Sequence, residues 1–380
     1  MKILQAFDFL SLPHGGGTVD IVYKLSEALA QRGHSVTICT GNYEHDPDYL
    51  HRLTEARVVV KMCRSYFNRH GIYLMPGLVR LDIKDYDVIH LHCYRSLQNI
   101  MLFIKATAYG IPYIIDAHGS TVPHSGRKTS LLDVYDSMYG RALIEHAKYV
   151  IAETAVGVAE WEKLGASRVK IRVQHPLLDT SEFDRLPERG LFRQAYGLGD
   201  YPIILFLGRI HQAKGIDTLL HSFCQIARNR ESRLVIAGQD DGYKDTLVRL
   251  ATEMNIRDKI AFVGHISGRV KLGALVDADM LVQPSRNEAG VRPSLEAIMC
   301  HTPVIVSRNT GAGNKIAEFD GGLLFNCNSD QELASAIQEI LNNPVEASAR
   351  TKKAREYILD TLSLEKQIGQ YEQLYWKAMQ

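Results

Sequence analysis

Neither sign of charge is in excess: 44 Lys and Arg stand against 43 Asp and Glu in 380 residues, a formal net charge of +1. Binding driven by nucleic-acid phosphates leaves a clear cationic surplus, so this balance argues against nucleic acid as a partner. Long apolar runs are also missing, since no stretch approaches the ~18 uncharged apolar residues of a spanning helix. The start, Met1-Lys2-Ile3-Leu4, is interrupted by Asp8 and followed by no small-residue cleavage pattern, so it reads as a strand rather than a signal peptide. Cys39, Cys63, Cys93, Cys224, Cys300 and Cys327 form no Cys-x-x-Cys pair and no metal-ligand spacing. A reducing cytoplasm suits such scattered thiols, and the expected location is cytoplasmic.

Short β-rich runs alternate with amphipathic helical stretches along the whole chain, the pattern of parallel sheets with crossover helices. In the first half the predicted strands are Lys2–Phe7, Ser35–Thr40, Arg57–Met62, Asp87–His92, Pro112–Asp116 and Tyr149–Glu153. Between the first two, Val19–Arg32 has helical periodicity with Gly33 as its stop, and the glycines before it read as a loop. A second series restarts with Pro202–Gly208, Arg233–Gly238, Lys259–Gly264, Asp279–Pro284, Pro303–Ser307 and Gly322–Phe325. The implied domains are residues 1–180 and 201–362, with 181–200 as a linker containing Pro187, Gly190, Gly197 and Gly199. Residues 363–380 form a last helix, with Leu364, Ile368, Tyr371, Leu374 and Tyr375 at helical spacing. Ligands of doubly wound sheets bind at the carboxyl ends of the strands, so two such domains facing one another would share a central cleft.

Two motifs carry the chemistry. After the fourth strand of the second series comes Gln283-Pro-Ser-Arg-Asn-Glu288-Ala-Gly290-Val291-Arg292-Pro293-Ser-Leu-Glu296. Pro293 suits a first helical position, which leaves Glu288 on the loop and Glu296 in the first turns. Carboxylates there can accept hydrogen bonds from sugar or ribose hydroxyls, while the helix start favours phosphate oxygens. Glu296 as a cap of its own helix and Glu288 as a solvated residue remain alternatives. The second motif, Gly208-Arg209 followed by Lys214-Gly215-Ile216-Asp217, places two cations at a strand–loop–helix turn, a setting suited to a diphosphate.

Taken in order, these motifs resemble the retaining glycosyltransferases of family four, with the two-domain GT-B architecture, over essentially the whole chain. Glu288 and Glu296 stand as the E-x7-E motif, followed by Ala297-Ile298-Met299-Cys300 and Pro303-Val304-Ile305. In the first half, a glycine-rich first loop, Asp87-Val-Ile-His-Leu-His92 and Asp116-Ala-His118-Gly119 agree. The resemblance implies a nucleotide-diphosphate-sugar donor held by the second domain, a glycan or lipid-linked hydroxyl acceptor held by the first, and no required cofactor. It implies that Arg209 and Lys214 beside Gly208 bind the diphosphate, Glu296 the ribose, and Glu288 with Gly290, Val291 and Arg292 the donor sugar. Val263, Gly264 and His265 would seat the base, Gly16 and Gly17 would approach the phosphates or the acceptor, and His118 would lie beside the reacting sugar. His14, His92 and Tyr94 are the candidate acceptor contacts.

The sequence departs from the family's usual Glu-Gly-Phe-Gly-Leu-Pro, with Arg292 standing where an apolar residue is common, so the donor sugar stays open. Two rival readings also stand: a silent sugar-nucleotide-binding subunit, and a nucleotide-cofactor oxidoreductase suggested by the His14–Thr18 glycines without their G-x-G-x-x-G spacing. The D-x-D pairs Asp85/Asp87 and Asp277/Asp279 precede strands and so lie at the edge away from the ligand end. His90, His92 and His118 lack a carboxylate or cysteine at recognisable ligand spacing, so no metal is expected. Between His51 and Arg80, six cations interleave with Met62, Tyr66, Phe67, Tyr73 and Met75 against the single acid Glu55, a composition suited to peripheral contact with an anionic membrane.

Overall fold

The computed structural model of the chain describes residues 1–66, 73–121, 133–286 and 290–380, and for 12–16 the backbone alone. Its strands are short apolar runs such as Ile203–Leu207 (IILFL), which suits parallel sheets covered on both faces. The chain divides into two compact units, one of residues 1–177 together with 364–380 and one of residues 178–363.

Unit 1 holds a seven-stranded sheet of β1 (Lys2–Ala6), β2 (Ser35–Gly41), β3 (Val59–Cys63), β4 (Val88–His92), β5 (Tyr113–Asp116), β6 (Tyr149–Ala152) and β7 (Ile171–Val173). The order is β3-β2-β1-β4-β5-β6-β7, parallel at each pairing, and it reverses direction between β1 and β4. One face packs Leu4, Ile89, Ile115 and Val150 against Leu102, Leu143 and Trp161. The other packs Ile3, Val88, Ile114 and Ile151 beneath the helix Leu12–Gln31 and the terminal helix Leu364–Met379, through Ile368, Tyr371, Leu374 and Tyr375. The terminal helix is also tied polar-to-polar, with Glu372 on Arg32 and His34 and Gln367 on Gln174.

Unit 2 repeats the plan with β8 (Ile203–Leu207), β9 (Arg233–Ala237), β10 (Ile260–Gly264), β11 (Met280–Gln283), β12 (Val304–Ser307) and β13 (Leu323–Phe325) in the order β10-β9-β8-β11-β12-β13. The order reverses between β8 and β11, where doubly wound sheets hold their ligands.

Three expectations change. The helix after β1 begins at Leu12 rather than Val19, with a proline at its first positions, so Gly15, Gly16 and Gly17 lie in its opening turns and not in a loop. Pro13 explains the early start, because its fixed φ favours the first helical turn and the amide it lacks has no helical partner there. Residues 181–200, read as a linker, belong to unit 2, because Phe183, Phe192 and Leu198 are buried in its core. Strand β7 is three residues long, too short to show a period in sequence.

Candidate active site

At the reversal point of unit 2, β8 runs out at Gly208, whose carbonyl packs against the backbone of β9's exit: a Cβ on Gly238 would stand 1.8 Å from Gly208 O. Gly208, with φ +158°, is extended, and Arg209 follows with its side chain 49% exposed. Its guanidinium meets the equally exposed Asp241 carboxylate at 2.6 Å, a contact an incoming anion can replace because both groups are solvated. After a 3-10 turn at Gln212–Lys214 comes Gly215, with φ +66°, where a Cβ would lie 2.0 Å from Pro284 O. The helix Ile216–Ala227 begins there with Asp217 in its first turn. The loops after β8 and β11 are thus pressed together, and Arg286 fastens them by donating to Asp217 Oδ2 at 2.6 Å and Gln212 O at 2.7 Å.

Beyond Gly290, the helix Arg292–Met299 carries Glu296, which is 4% exposed. Its Oε1 accepts from Lys271 Nζ at 2.9 Å and from Arg292 Nε at 3.0 Å. Arg292, expected at the donor sugar, is spent in part on holding this carboxylate four residues on. Val291 is fully buried, so it reaches a ligand through its backbone alone. Val263 is partly buried on the edge strand β10, and Gly264 and His265 are exposed after it. Glu288 lies outside the described residues. Both D-x-D pairs hold backbone at strand entries: Asp87 accepts from Lys2 N, Asp279 from Ile203 N and Asp277 from Arg193 N.

In unit 1 the reversal point gathers a buried polar row. Gln5 on β1 sits beside His90 on β4, and His92 beside Asp116 on β5, all four at most 1% exposed. Their alternation along strands puts them on the face beneath the terminal helix. Tyr371 and Tyr375, one turn apart on that helix, enter the row: Tyr371 OH donates to Asp116 Oδ2 at 2.9 Å, and Tyr375 OH lies 2.9 Å from His90 Nδ1. His118 Nε2 lies 2.8 Å from His92 Nδ1, while His118 Nδ1 lies 3.4 Å from both Asp116 Oδ1 and Glu153 Oε1. Burial works against a charged His118 ring, but the two carboxylates outweigh it and raise its pKa. Burial pushes His90 and His92 well down, and raises Asp116. Asp8, just past β1, is pushed up to about 7 by burial, although Ser96 Oγ donates to it at 2.6 Å.

His92 and Tyr94, expected at the acceptor, are instead internal. Tyr94 is 0% exposed and packs edge-on against Tyr135 and Trp161, and His92 is closed in by Gln5 and His118. The side chain of His14 lies outside the described residues. The donor atoms of Asp116, His118 and Glu153 lie within 4.8 Å of one another, a spacing that would also admit a cation. Asp116 stands two residues before His118 in the sequence, but Glu153 went unseen because it follows a different strand, β6. The available signal was polar residues, Gln5, His90, His92 and Asp116, at the ends of otherwise apolar strands.

Residues 15–182 match Glycosyltransferase Family 4 and residues 188–357 match Glycosyl transferases group 1. An uncharacterized glycosyltransferase of Methanocaldococcus jannaschii is 25% identical over 84% of this chain and 83% of its own length. The D-inositol 3-phosphate glycosyltransferase of Mycolicibacterium smegmatis is 28% identical over 70% of this chain, a match spanning 62% of that enzyme. Among solved structures, Anabaena HepE, in complex with UDP and glucose, superposes with a TM-score of 0.81 at 17% identity, covering 98% of this chain and 99% of its own. With two parallel-sheet Rossmann-like units matching those two families in order, the chain belongs among the GT-B glycosyltransferases of group 1 with a family 4-type amino-terminal domain.

Proposed function

We propose that the protein transfers a sugar, with retention of anomeric configuration, from a nucleoside-diphosphate sugar to a hydroxyl acceptor in glycan or glycolipid assembly. One observation carries the donor half: the glycine-lined junction of the β8 and β11 loops, where Gly215 rests on the Pro284 carbonyl and Arg209 stands half exposed. Arg209 and Lys214 take the diphosphate, Glu296 the ribose, Glu288 the sugar, and the backbone around Val263 to His265 the base. The HepE complex makes UDP the first nucleotide to try. Unit 1 takes the acceptor, with the His118–Gly119 turn presented to it and Gly16 and Gly17 at the start of the first helix as further contacts.

The route we favour is front-face substitution. The departing diphosphate is stabilised by Arg209, Lys214 and the helix start, and it accepts the acceptor's proton as the new bond forms. No metal ion enters this route. Calorimetric binding of UDP, GDP, ADP, CMP and dTDP, with and without divalent cation, tests the reading. Binding of one diphosphate without metal supports it, and no binding by folded protein overturns it.

We also assign the exposed part of the 51–80 region to an anionic membrane face on the cytoplasmic side, without Tyr73 and Met75, which are buried in the core of unit 1. Val59, Met62 and Tyr66 are exposed beside the exposed cations Arg57, Lys61 and Arg64. Phe67 and the rest of 67–72 lie outside the described residues. Cosedimentation with phosphatidylglycerol vesicles but not with phosphatidylcholine vesicles is the expected result.

A further inference from the structure

His118 is the one non-glycine residue in the site whose backbone is left-handed together with its neighbour: φ is +45° at His118 and +79° at Gly119. Ser120 N donates to Ala117 O at 2.8 Å, closing a tight turn with two positive φ values at its centre. A histidine there is strained by about 1 kcal/mol or more. Its side chain is 2% exposed although the residue as a whole is partly open, so a ligand meets the main chain of the turn and not the ring.

The ring is held from inside by a chain of hydrogen bonds whose proton order can be worked out. Gln5 has one amide donor and one acceptor in play, and these fix everything else. Gln5 Nε2 donates to Tyr375 OH at 3.2 Å, so the tyrosine hydroxyl donates onward to His90 Nδ1. His90 therefore carries its proton on Nε2, which faces Asp116 Oδ2 at 4.0 Å. Gln5 Oε1 accepts from His92 Nε2–H at 2.6 Å, so the neutral, buried His92 offers Nδ1 as an acceptor. His118 must then donate from Nε2. Its Nδ1 faces Asp116 and Glu153. The groups that face the ring come from each neighbouring element: His90 and His92 from β4, Asp116 from β5, Glu153 after β6, and Tyr371 of the terminal helix through Asp116.

We propose that Tyr375 and Tyr371 of the terminal helix are positioning residues. Through Gln5, His90, His92 and Asp116 they hold the His118 ring with its Nε2 proton directed at His92, which pins the left-handed turn and so presents the 118–120 main chain to substrate. This deepens the reading of unit 1 as substrate-binding and rests on it for its functional consequence. The proton order itself stands without any activity. It also assigns a purpose to a helix that starts from the far end of the sequence: without its two hydroxyls the polar row has too few partners.

The test is nuclear magnetic resonance of the full chain with 15N,13C-labelled histidine, from pH 5 to 9. At pH 7 the expected states are His90 and His92 both neutral with the proton on Nε2, and His118 with a proton on Nε2. His118 without a proton on Nε2, or His92 protonated on Nδ1, overturns the proposal, and so does stoichiometric metal in purified protein, which would occupy Asp116, His118 and Glu153. In Tyr375→Phe, Gln5 loses its acceptor and can reverse its amide. The His92 proton should then move from Nε2 to Nδ1, and an unchanged His92 tautomer rejects the role of Tyr375. If that variant does not fold, the wild-type tautomers decide by themselves. If a nucleotide-sugar donor is found, Tyr375→Phe should lower kcat at unchanged donor KM. Should no donor bind while the tautomers come out as stated, the transferase reading fails and the proton order survives.

Discussion

Gly215→Ala separates a geometric necessity from a merely convenient glycine. The residue has φ +66°, and an added Cβ would stand 2.0 Å from the Pro284 carbonyl oxygen and 3.0 Å from its carbon. Left-handed backbone costs alanine about 1–2 kcal/mol, and forcing apart two packed backbone segments adds about 1–3 kcal/mol, so ~2–5 kcal/mol of stability should be lost. Gly242 supplies the control, since it has φ +81° with no atom within 4 Å of a Cβ. Gly242→Ala carries the conformational cost alone. Urea unfolding followed by circular dichroism is the assay, because both tryptophans, Trp161 and Trp376, belong to unit 1 and their fluorescence reports directly on that unit only. The same displacement moves Lys214 and the start of the following helix, so affinity for UDP should fall at least about tenfold, a loss of ~1.4 kcal/mol. Equal destabilisation by the two variants would refute the packing argument. Full nucleotide affinity in a folded Gly215→Ala would refute the placement of the diphosphate.

Arg209→Ala should leave folding unchanged, because the side chain is half exposed and Asp241, which it pairs with, is equally solvated. UDP affinity should drop about tenfold or more, the size of one charge-assisted hydrogen bond, as read by calorimetry. Glu296→Ala removes the shared acceptor of Lys271 and Arg292 at a nearly buried position, and a loss of about 3 kcal/mol in urea unfolding is expected because two cations are left facing each other. Asp8 gives a pH signature. Its folded pKa of about 7 lies above its ordinary 3.8, so its contribution is fully present below pH 3.8 and is lost as pH rises through about 7. Asp8→Asn should therefore gain stability relative to wild type at pH 8 compared with pH 5, and a constant difference across that range would count against a neutral Asp8. His90 and His92 slope the other way below their ordinary value of 6.5, which is why the variant-minus-wild-type difference is the quantity to measure.

The fold was legible where burial on both faces wrote a strong local signal. Ile203–Leu207, Leu234–Ala237 and Val304–Val306 are uninterrupted apolar runs with a Gly or Pro beside each, and each predicted strand lies within two residues of the observed one. The restart of the pattern gave two doubly wound units, and the two cationic and carboxylate motifs fall at the loops beside the β8/β11 reversal. The boundary between units was harder to read. Proline and glycine in 181–200 suggested a linker, yet Phe183, Phe192 and Leu198 are spaced too irregularly to announce that they anchor it to unit 2.

The polar row of unit 1 was illegible for a different reason. Histidines on a strand that ends at a ligand-binding edge look like ligand contacts when read alone, since sequence gives their strand face and not what covers it. What covers His90 and His92 is a helix nearly 280 residues further on, where Tyr371 and Tyr375 read as two aromatic members of an apolar stripe. Only their hydroxyls distinguish them from phenylalanine, and only the fold shows that those hydroxyls have buried partners. Buried polar groups require partners, so the four polar positions at the strand ends imply a polar covering element, and these two tyrosines meet that requirement. Replacing both by phenylalanine keeps the apolar packing and removes two hydroxyls from the row. The consequence is greater loss at the row's carboxylate than at its surrounding core: Asp116 would lose its Tyr371 donor at 2.9 Å while remaining 1% exposed.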